Sequence, residues 1–195
     1  MILPSAQILS TLAVLMFAGC FQPSTGADEV EAGIEPPGQL FGADAGANST
    51  CGDTAPTPLT KLHVVVLTSP FNGRYQPRNV GAIWVETAAG VFVKTLERWG
   101  KTRARYITRW NASSGGNVVD AVTSATLATH VTHDRTWNFT DKQTCKMPPG
   151  DYRVMIEHTD YNGTGALLQI PFTTTAGMQT VPDSTYFHHV AIDLQ

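Results

Sequence analysis

The 195-residue chain has few charged residues and none of the sequence motifs of the common catalytic classes. It carries 13 Lys and Arg against 16 Asp and Glu, and this slightly acidic balance disfavours nucleic acid as a partner. It lacks a Gly-x-Ser-x-Gly elbow, a P-loop, a His-Glu-x-x-His helix and a Gly-rich dinucleotide fingerprint. We therefore expect no independent catalytic machinery in this chain.

The first twenty residues form an apolar stretch of signal-peptide length that is too short to span a bilayer and stop there. This stretch predicts export, and its end, "FAGC", resembles the cleavage box of bacterial lipoproteins. The resemblance implies a lipid on Cys20, with attachment to a membrane of the periplasm, most simply the outer membrane. Plain secretion without a lipid is the alternative.

Cysteine is scarce, with three residues in the whole chain. Once Cys20 is assigned to the lipid, Cys51 and Cys145 remain as an even pair, which an exported protein could join in a disulfide. Two unpaired thiols are the alternative, because spacing alone does not bring two sulfur atoms together.

Residues 21–58 are rich in Gly, Ala, Pro, Ser, Thr and acids and lack a sustained apolar period. This composition is typical of a disordered tether. Residues 59–195 then suffice for one ordinary domain.

The domain region reads as a series of short strands separated by turn residues. "KLHVVVLT", the pair "VGAIWVET" and "GVFVKTLE", the pair around Asn162-Gly163, and "TYFHHVAIDL" each have strand character. The segment 94–110 stays open between a short helix and a bent strand. The pattern predicts an all-β fold, an immunoglobulin-like β-sandwich.

The stretch "WNFTDKQTCKMPPGDY" resembles part of the immunoglobulin-like domain of flagellar hook-capping proteins. We expect Trp137 and Tyr152 to fill the space between two sheets and Gly150 to adopt a turn with positive φ. Together with "GRYQPRNVGAIWVETAAGVFVKTLERW" and "VVDAVTSAT", this stretch makes residues 61–195 similar to a family of predicted periplasmic proteins, domain of unknown function 2271. That resemblance implies an exported single domain and no established activity.

The stretch "DAVTSAT" resembles the acceptor motif of covalently flavinylated proteins, Asp-x-x-Ser/Thr-Gly-Ala-Ser/Thr. The resemblance implies FMN joined through its phosphate to Thr126 by a flavin transferase that reads Asp120. A transferase and its metal would activate the weak threonine nucleophile, so the acceptor need offer only an exposed hydroxyl between small neighbours. The motif residues are Asp120, Thr123, Ser124, Ala125 and Thr126, and Ser124 stands where the motif has glycine. A threonine-rich edge strand is the alternative interpretation.

The basic segment "KTLERWGKTRARYITRW" contains Arg103, Arg105 and Arg109. It is either a solvated face or a patch that contacts an anion, a redox partner or a glycan. His130 and His133 are three residues apart and His188 and His189 are adjacent, and such pairs point to opposite faces of a strand, so we expect no metal site.

We therefore predict a lipid-anchored covalent FMN carrier in extracytoplasmic electron transfer, with a flavin transferase and a membrane redox protein as partners. The alternative is a non-catalytic binding or structural module of the cell envelope.

Overall fold

The computed structural model describes residues 51–52, 54–175 and 177–195. The predicted signal peptide, Cys20 and nearly all of the predicted tether lie outside the described residues. The strands are β1 (Leu62–Thr68), β2 (Val80–Thr87), β3 (Phe92–Trp99), β4 (Val122–Ser124), β5 (Thr132–Trp137), β6 (Asp151–Thr159), β7 (Ala166–Thr173), β8 (Gly177–Val181) and β9 (Phe187–Leu194).

These strands form two sheets, which confirms the predicted all-β sandwich. One sheet has four strands in the order β5-β1-β9-β8, and the other has five in the order β4-β3-β2-β6-β7. Side chains from the inner faces of the two sheets meet and form the main core, to which β4 contributes none. Trp137 and Tyr152 lie in that core with ring centroids 5.7 Å apart, as predicted.

The segment after β3 is helical, so the bent-strand alternative for residues 94–110 is wrong beyond Trp99. A 3-10 turn (Thr102–Tyr106) leads into α1 (Thr108–Ser114), which ends at Gly115 in the left-handed conformation. Trp110 of α1 packs on the outer face of β2, beside Trp84. Burial of β2 on both faces explains the uninterrupted apolar run of "VGAIWVET".

The segment between β3 and β4 carries the chain back along β3, so that β4 runs in the same direction as β3 and pairs with it in parallel. A parallel pair requires a crossover, whereas two antiparallel strands need only a tight turn. The acceptor motif is thereby placed at the outer edge of the five-stranded sheet.

One local expectation was wrong. Gly150 does not have a positive φ; its N–H instead donates to Thr174 Oγ1 at 2.8 Å. The pair of strands predicted around Asn162-Gly163 is confirmed, because β6, which ends at Thr159, pairs antiparallel with β7, which begins at Ala166. The connection between β6 and β7 is held by Asp160, whose carboxylate accepts the backbone N–H groups of Phe71 at 2.9 Å and Gly73 at 2.8 Å.

Candidate functional site

The residues of the flavinylation-like motif, 120–126, form a continuous strip along the edge of the five-stranded sheet, here called the acceptor strip. Within it, Val122, Thr123 and Ser124 form β4 and pair with β3. All three are exposed, and so are Ala125 and Thr126. Thr126 therefore lies on the surface of the domain, within reach of another protein.

The backbone at Ser124 is ordinary. Ser124 is the last residue of β4 and has no positive φ, so serine costs nothing where the motif has glycine. The left-handed residue of the strip is instead Asp120, at φ 54°, a conformation that aspartate tolerates. Its carboxylate accepts a hydrogen bond from Lys94 Nζ at 3.3 Å and remains largely exposed.

Both sides of Thr126 are anchored to the sheet. The Ser124 carbonyl accepts the Gly100 N–H at 3.0 Å, and Leu127 exchanges two backbone hydrogen bonds of 3.1 Å with Asn79. Asn79 is fully buried, and its side-chain amide donates to the Thr129 carbonyl at 3.1 Å. The backbone around Thr126 is thus held in place while its side chain faces outward.

A groove of about 480 Å³ opens directly at Thr126 and is here called the Thr126 groove. Inside it, the Arg103 guanidinium lies over the Tyr75 ring at 4.1 Å and donates to the Tyr161 carbonyl at 3.0 Å. The buried Nε of Arg103 has no hydrogen-bond partner among the described residues. The lining residues are Tyr75, Arg78, Arg103, Thr126, Leu127 and Ala128.

The Thr126 groove is positively charged. Its lining includes two arginines and no carboxylate. Within the part of the chain that the structure describes, no ion pair joins Arg78, Arg103 or the neighbouring Lys101 to an acid. Such uncompensated guanidinium groups suit a phosphate or another anion.

The three arginines predicted to bind a partner do not form one patch. Arg103 lies in the Thr126 groove, whereas Arg105 stacks on Tyr106 at 4.9 Å and Arg109 donates to the Gly165 carbonyl at 3.4 Å. Sequence analysis missed Tyr75 and Arg78. The signal was present in "GRYQPR", which mixes arginine and tyrosine with loop residues.

On the other side of the strip lies a second cleft, of about 530 Å³, between β3 and β5. Lys94 is buried there and donates to Thr140 Oγ1 at 3.1 Å as well as to Asp120. Asp120, Asp134 and Arg135 also line this cleft, so its charge is mixed. It therefore lacks the single sign of charge that marks the Thr126 groove.

Beneath the strip, Trp99 stacks on His133 with ring centroids 4.1 Å apart. His133 Nδ1 lies 2.8 Å from the Glu97 carboxylate, which also accepts from Arg135 at 2.7 Å. Burial acts to raise the pKa of Glu97, but the hydrogen bonds and charges of His133 and Arg135 outweigh it and hold the pKa below its ordinary value.

Two more histidines lie near this network. The rings of His130 and His158 meet edge to face with centroids 5.4 Å apart. Burial, with the charge of His130 second, lowers the pKa of His158 to about 3, and burial also lowers the pKa of His130. Residues 51–52, 54–175 and 177–195 contain no group of three His, Cys, Asp or Glu side chains that could hold a metal ion.

Ser69, His188 and Asp183 form a hydrogen-bonded row that resembles a catalytic triad. His188 Nε2 is 3.1 Å from Ser69 Oγ, and its Nδ1 is 3.4 Å from Asp183. However, the Ser69 hydroxyl donates to the Thr185 carbonyl at 3.0 Å, and Asp183 accepts the His189 N–H at 2.8 Å. Since the row lines neither the Thr126 groove nor the cleft between β3 and β5, we interpret it as closing the turn before β9.

Two features bear on the cell compartment. Cys51 and Cys145 are joined in a disulfide with an S–S distance of 2.09 Å, which suits an oxidising environment. No helix among the described residues is long and apolar enough to cross a membrane.

Comparison with curated proteins and with solved structures gave no match. A family model described as "Predicted periplasmic protein (DUF2271)" matches residues 65–187. That range runs from β1 into β9 and includes the whole acceptor strip and the Thr126 groove. The chain belongs to this family of predicted periplasmic proteins.

Proposed function

We propose that this protein carries FMN bound covalently to Thr126 and serves extracytoplasmic electron transfer. The observation that carries the proposal is the placement of Thr126, whose exposed side chain follows an exposed edge strand and is flanked by anchored backbone. A transferase needs such an arrangement, because it must bring its own catalytic groups to a hydroxyl that it finds in one fixed position.

The loading step would be a phosphoryl transfer. If the donor is flavin adenine dinucleotide, the Thr126 Oγ–phosphorus bond forms, the pyrophosphate bond breaks, AMP leaves, and the hydroxyl proton passes to a base on the transferase. This chain contributes the acceptor oxygen, and Asp120 contributes an exposed carboxylate for recognition. The bound flavin would supply the redox chemistry.

The surroundings of Thr126 fit such a group. The resulting phosphodiester carries one negative charge beside a groove with two arginines and no acid. In this proposal a lipid on Cys20 tethers the domain to the membrane, where a membrane redox protein exchanges electrons with it.

Coexpression with a flavin transferase tests the proposal. We expect a fluorescent band on a denaturing gel and a mass increase of one FMN less one water. Thr126→Ala should abolish both, and Thr129→Ala, which alters an exposed threonine just outside the strip, should leave both intact. A dark wild-type band in the presence of active transferase would end the proposal, and a band that survives Thr126→Ala would place the attachment elsewhere.

A second candidate function is a non-catalytic binding module of the cell envelope, favoured by the exposed arginines of the helical segment. Its partner would be an anionic protein or glycan. Charge reversal at Arg103, Arg105 and Arg109 should then release that partner in a pull-down from envelope extracts. An unchanged set of partners would exclude these three arginines as the residues that bind it.

A further inference from the structure

The Thr126 groove has a property that the attachment of a flavin does not require. Attachment needs only an exposed hydroxyl, and the groove at Ala125 and Thr123, lined also by Arg98 and Lys101, offers charge without an aromatic ring. At Thr126 the chain instead supplies a guanidinium stacked on a phenol ring, Arg103 on Tyr75. Flat cationic and aromatic surfaces of this kind bind planar π-systems.

We propose that the Thr126 groove is the seat of the flavin ring, with the Arg103–Tyr75 stack as its platform and Arg78 and Arg103 as the positive charges beside it. This inference rests on the proposed function. Because Thr126 is itself part of the groove lining, a group joined to its hydroxyl begins inside the groove. The groove's volume of about 480 Å³ lies in the range of small-molecule sites.

Hydrogen bonds hold both members of the Arg103–Tyr75 stack in place. The Tyr75 N–H donates to the Asp160 carbonyl at 2.9 Å, and the Tyr75 hydroxyl accepts from Asn162 at 2.9 Å. Arg103 is fixed through the Tyr161 carbonyl, while its buried Nε still lacks an acceptor among the described residues.

The charge of the groove has a consequence for the flavin. Reduction of the neutral oxidised ring by two electrons, with uptake of one proton, gives a ring with one negative charge. Guanidinium groups stabilise that anion more than they stabilise the neutral ring. We therefore expect the groove to favour the reduced flavin and to raise its reduction potential.

Two measurements on the transferase-loaded full chain test the seat. The first is flavin fluorescence before and after denaturation, because stacking on a tyrosine quenches a flavin only in the native state. Tyr75→Leu should raise the native fluorescence severalfold and leave the denatured fluorescence unchanged. Tyr106→Leu is the matched control, since Tyr106 also stacks under an arginine but lies outside the groove lining.

The second measurement is the midpoint potential, with dithionite as reductant and a reference dye. Arg78→Gln and Arg103→Gln should each shift the midpoint to a more negative value, by about 30 mV for every tenfold loss of preference for the reduced ring. Arg105→Gln removes the same charge from an exposed arginine outside the groove lining and should leave the midpoint unchanged. Arg78 is exposed and its side chain makes no hydrogen bond among the described residues, so its variant should fold normally.

The outcomes distinguish binding of the flavin ring in the Thr126 groove from covalent attachment of the flavin to Thr126. Loading with a Tyr75-dependent quench and an arginine-dependent midpoint supports both. Suppose instead that the Tyr75, Arg78 and Arg103 variants load normally and keep the wild-type native fluorescence and midpoint potential. That result would contradict binding of the flavin ring in the Thr126 groove, and it would leave the proposed carrier function unaffected. Absence of loading in the wild-type chain overturns both.

Discussion

Trp99 Nε1 donates a hydrogen bond of 2.7 Å to Asn79 Oδ1, and both side chains are fully buried. This contact joins the end of β3 to the residue that holds the segment after Thr126 through Leu127 and Thr129. A buried amide therefore helps to hold the backbone that carries the candidate acceptor Thr126.

The first prediction concerns this amide. Asn79→Ala leaves the indole N–H and the Thr129 carbonyl without their partner, and we expect the free energy of unfolding to fall by about 1–3 kcal/mol. Amide hydrogen exchange at Leu127 should accelerate by more than the loss of global stability explains. Asn162→Ala removes an exposed hydrogen bond and should change neither quantity; equal exchange at Leu127 in both variants would contradict the anchoring role.

The second prediction concerns the position where the motif has glycine. Because Ser124 is extended, Ser124→Gly relieves no strain and should cost about 0.5–1 kcal/mol of stability in chemical denaturation. The extent of flavin loading on Thr126, read from denaturing-gel fluorescence, should not rise. A clear gain in loading would show that the transferase needs a conformation that serine opposes.

The third prediction concerns pH. Burial, and then the charge of His130, lowers the pKa of His158 from 6.5 to about 3. Between these two pH values the unfolded chain binds a proton at His158 that the native protein does not bind. The stability that depends on neutral His158 is fully present above pH 6.5 and is lost as the pH falls toward 3, by up to about 1.4 kcal/mol per pH unit.

Urea denaturation across that pH range measures the slope. His158→Leu should flatten it, because the variant has no group to titrate at this site. His189→Asn, at an exposed histidine whose φ of 51° suits asparagine, should keep the wild-type slope. A slope that stays unchanged in His158→Leu would mean that another group controls acid unfolding.

The fourth prediction concerns the disulfide, whose two cysteines are 94 residues apart in sequence. On the loop-entropy model a crosslink of this span stabilises the native protein by about 4–5 kcal/mol. The Cys51→Ser, Cys145→Ser double variant should lose that amount in urea denaturation. Dithiothreitol should destabilise the wild type alone, and equal sensitivity of both proteins would exclude a structural role for the bond.

Local patterns predicted most of the sandwich. The β-branched run of β1 and the hairpin of β2 and β3 lie where their apolar periods placed them, because burial between two sheets selects such residues directly. β5 and β8 were not predicted. Four of the five residues of β8 are exposed, so no apolar period marks it. The connection after β6 is held by Asp160, which bonds to a loop that precedes β2, and no local pattern predicts that contact.

The sequence by itself determined the fold class and singled out Thr126, since alternation of apolar residues and a short run of hydroxyl-bearing residues are both local properties of the chain. Only the tertiary structure decided that Tyr75 and Arg78 stand beside that threonine. The proximity of these two residues to Thr126 depends on the bridge between Asn79 and Leu127 and on the crossover that makes β4 parallel to β3. Pairings between distant segments are fixed by the burial and hydrogen bonding of the whole sandwich, and no local pattern encodes them.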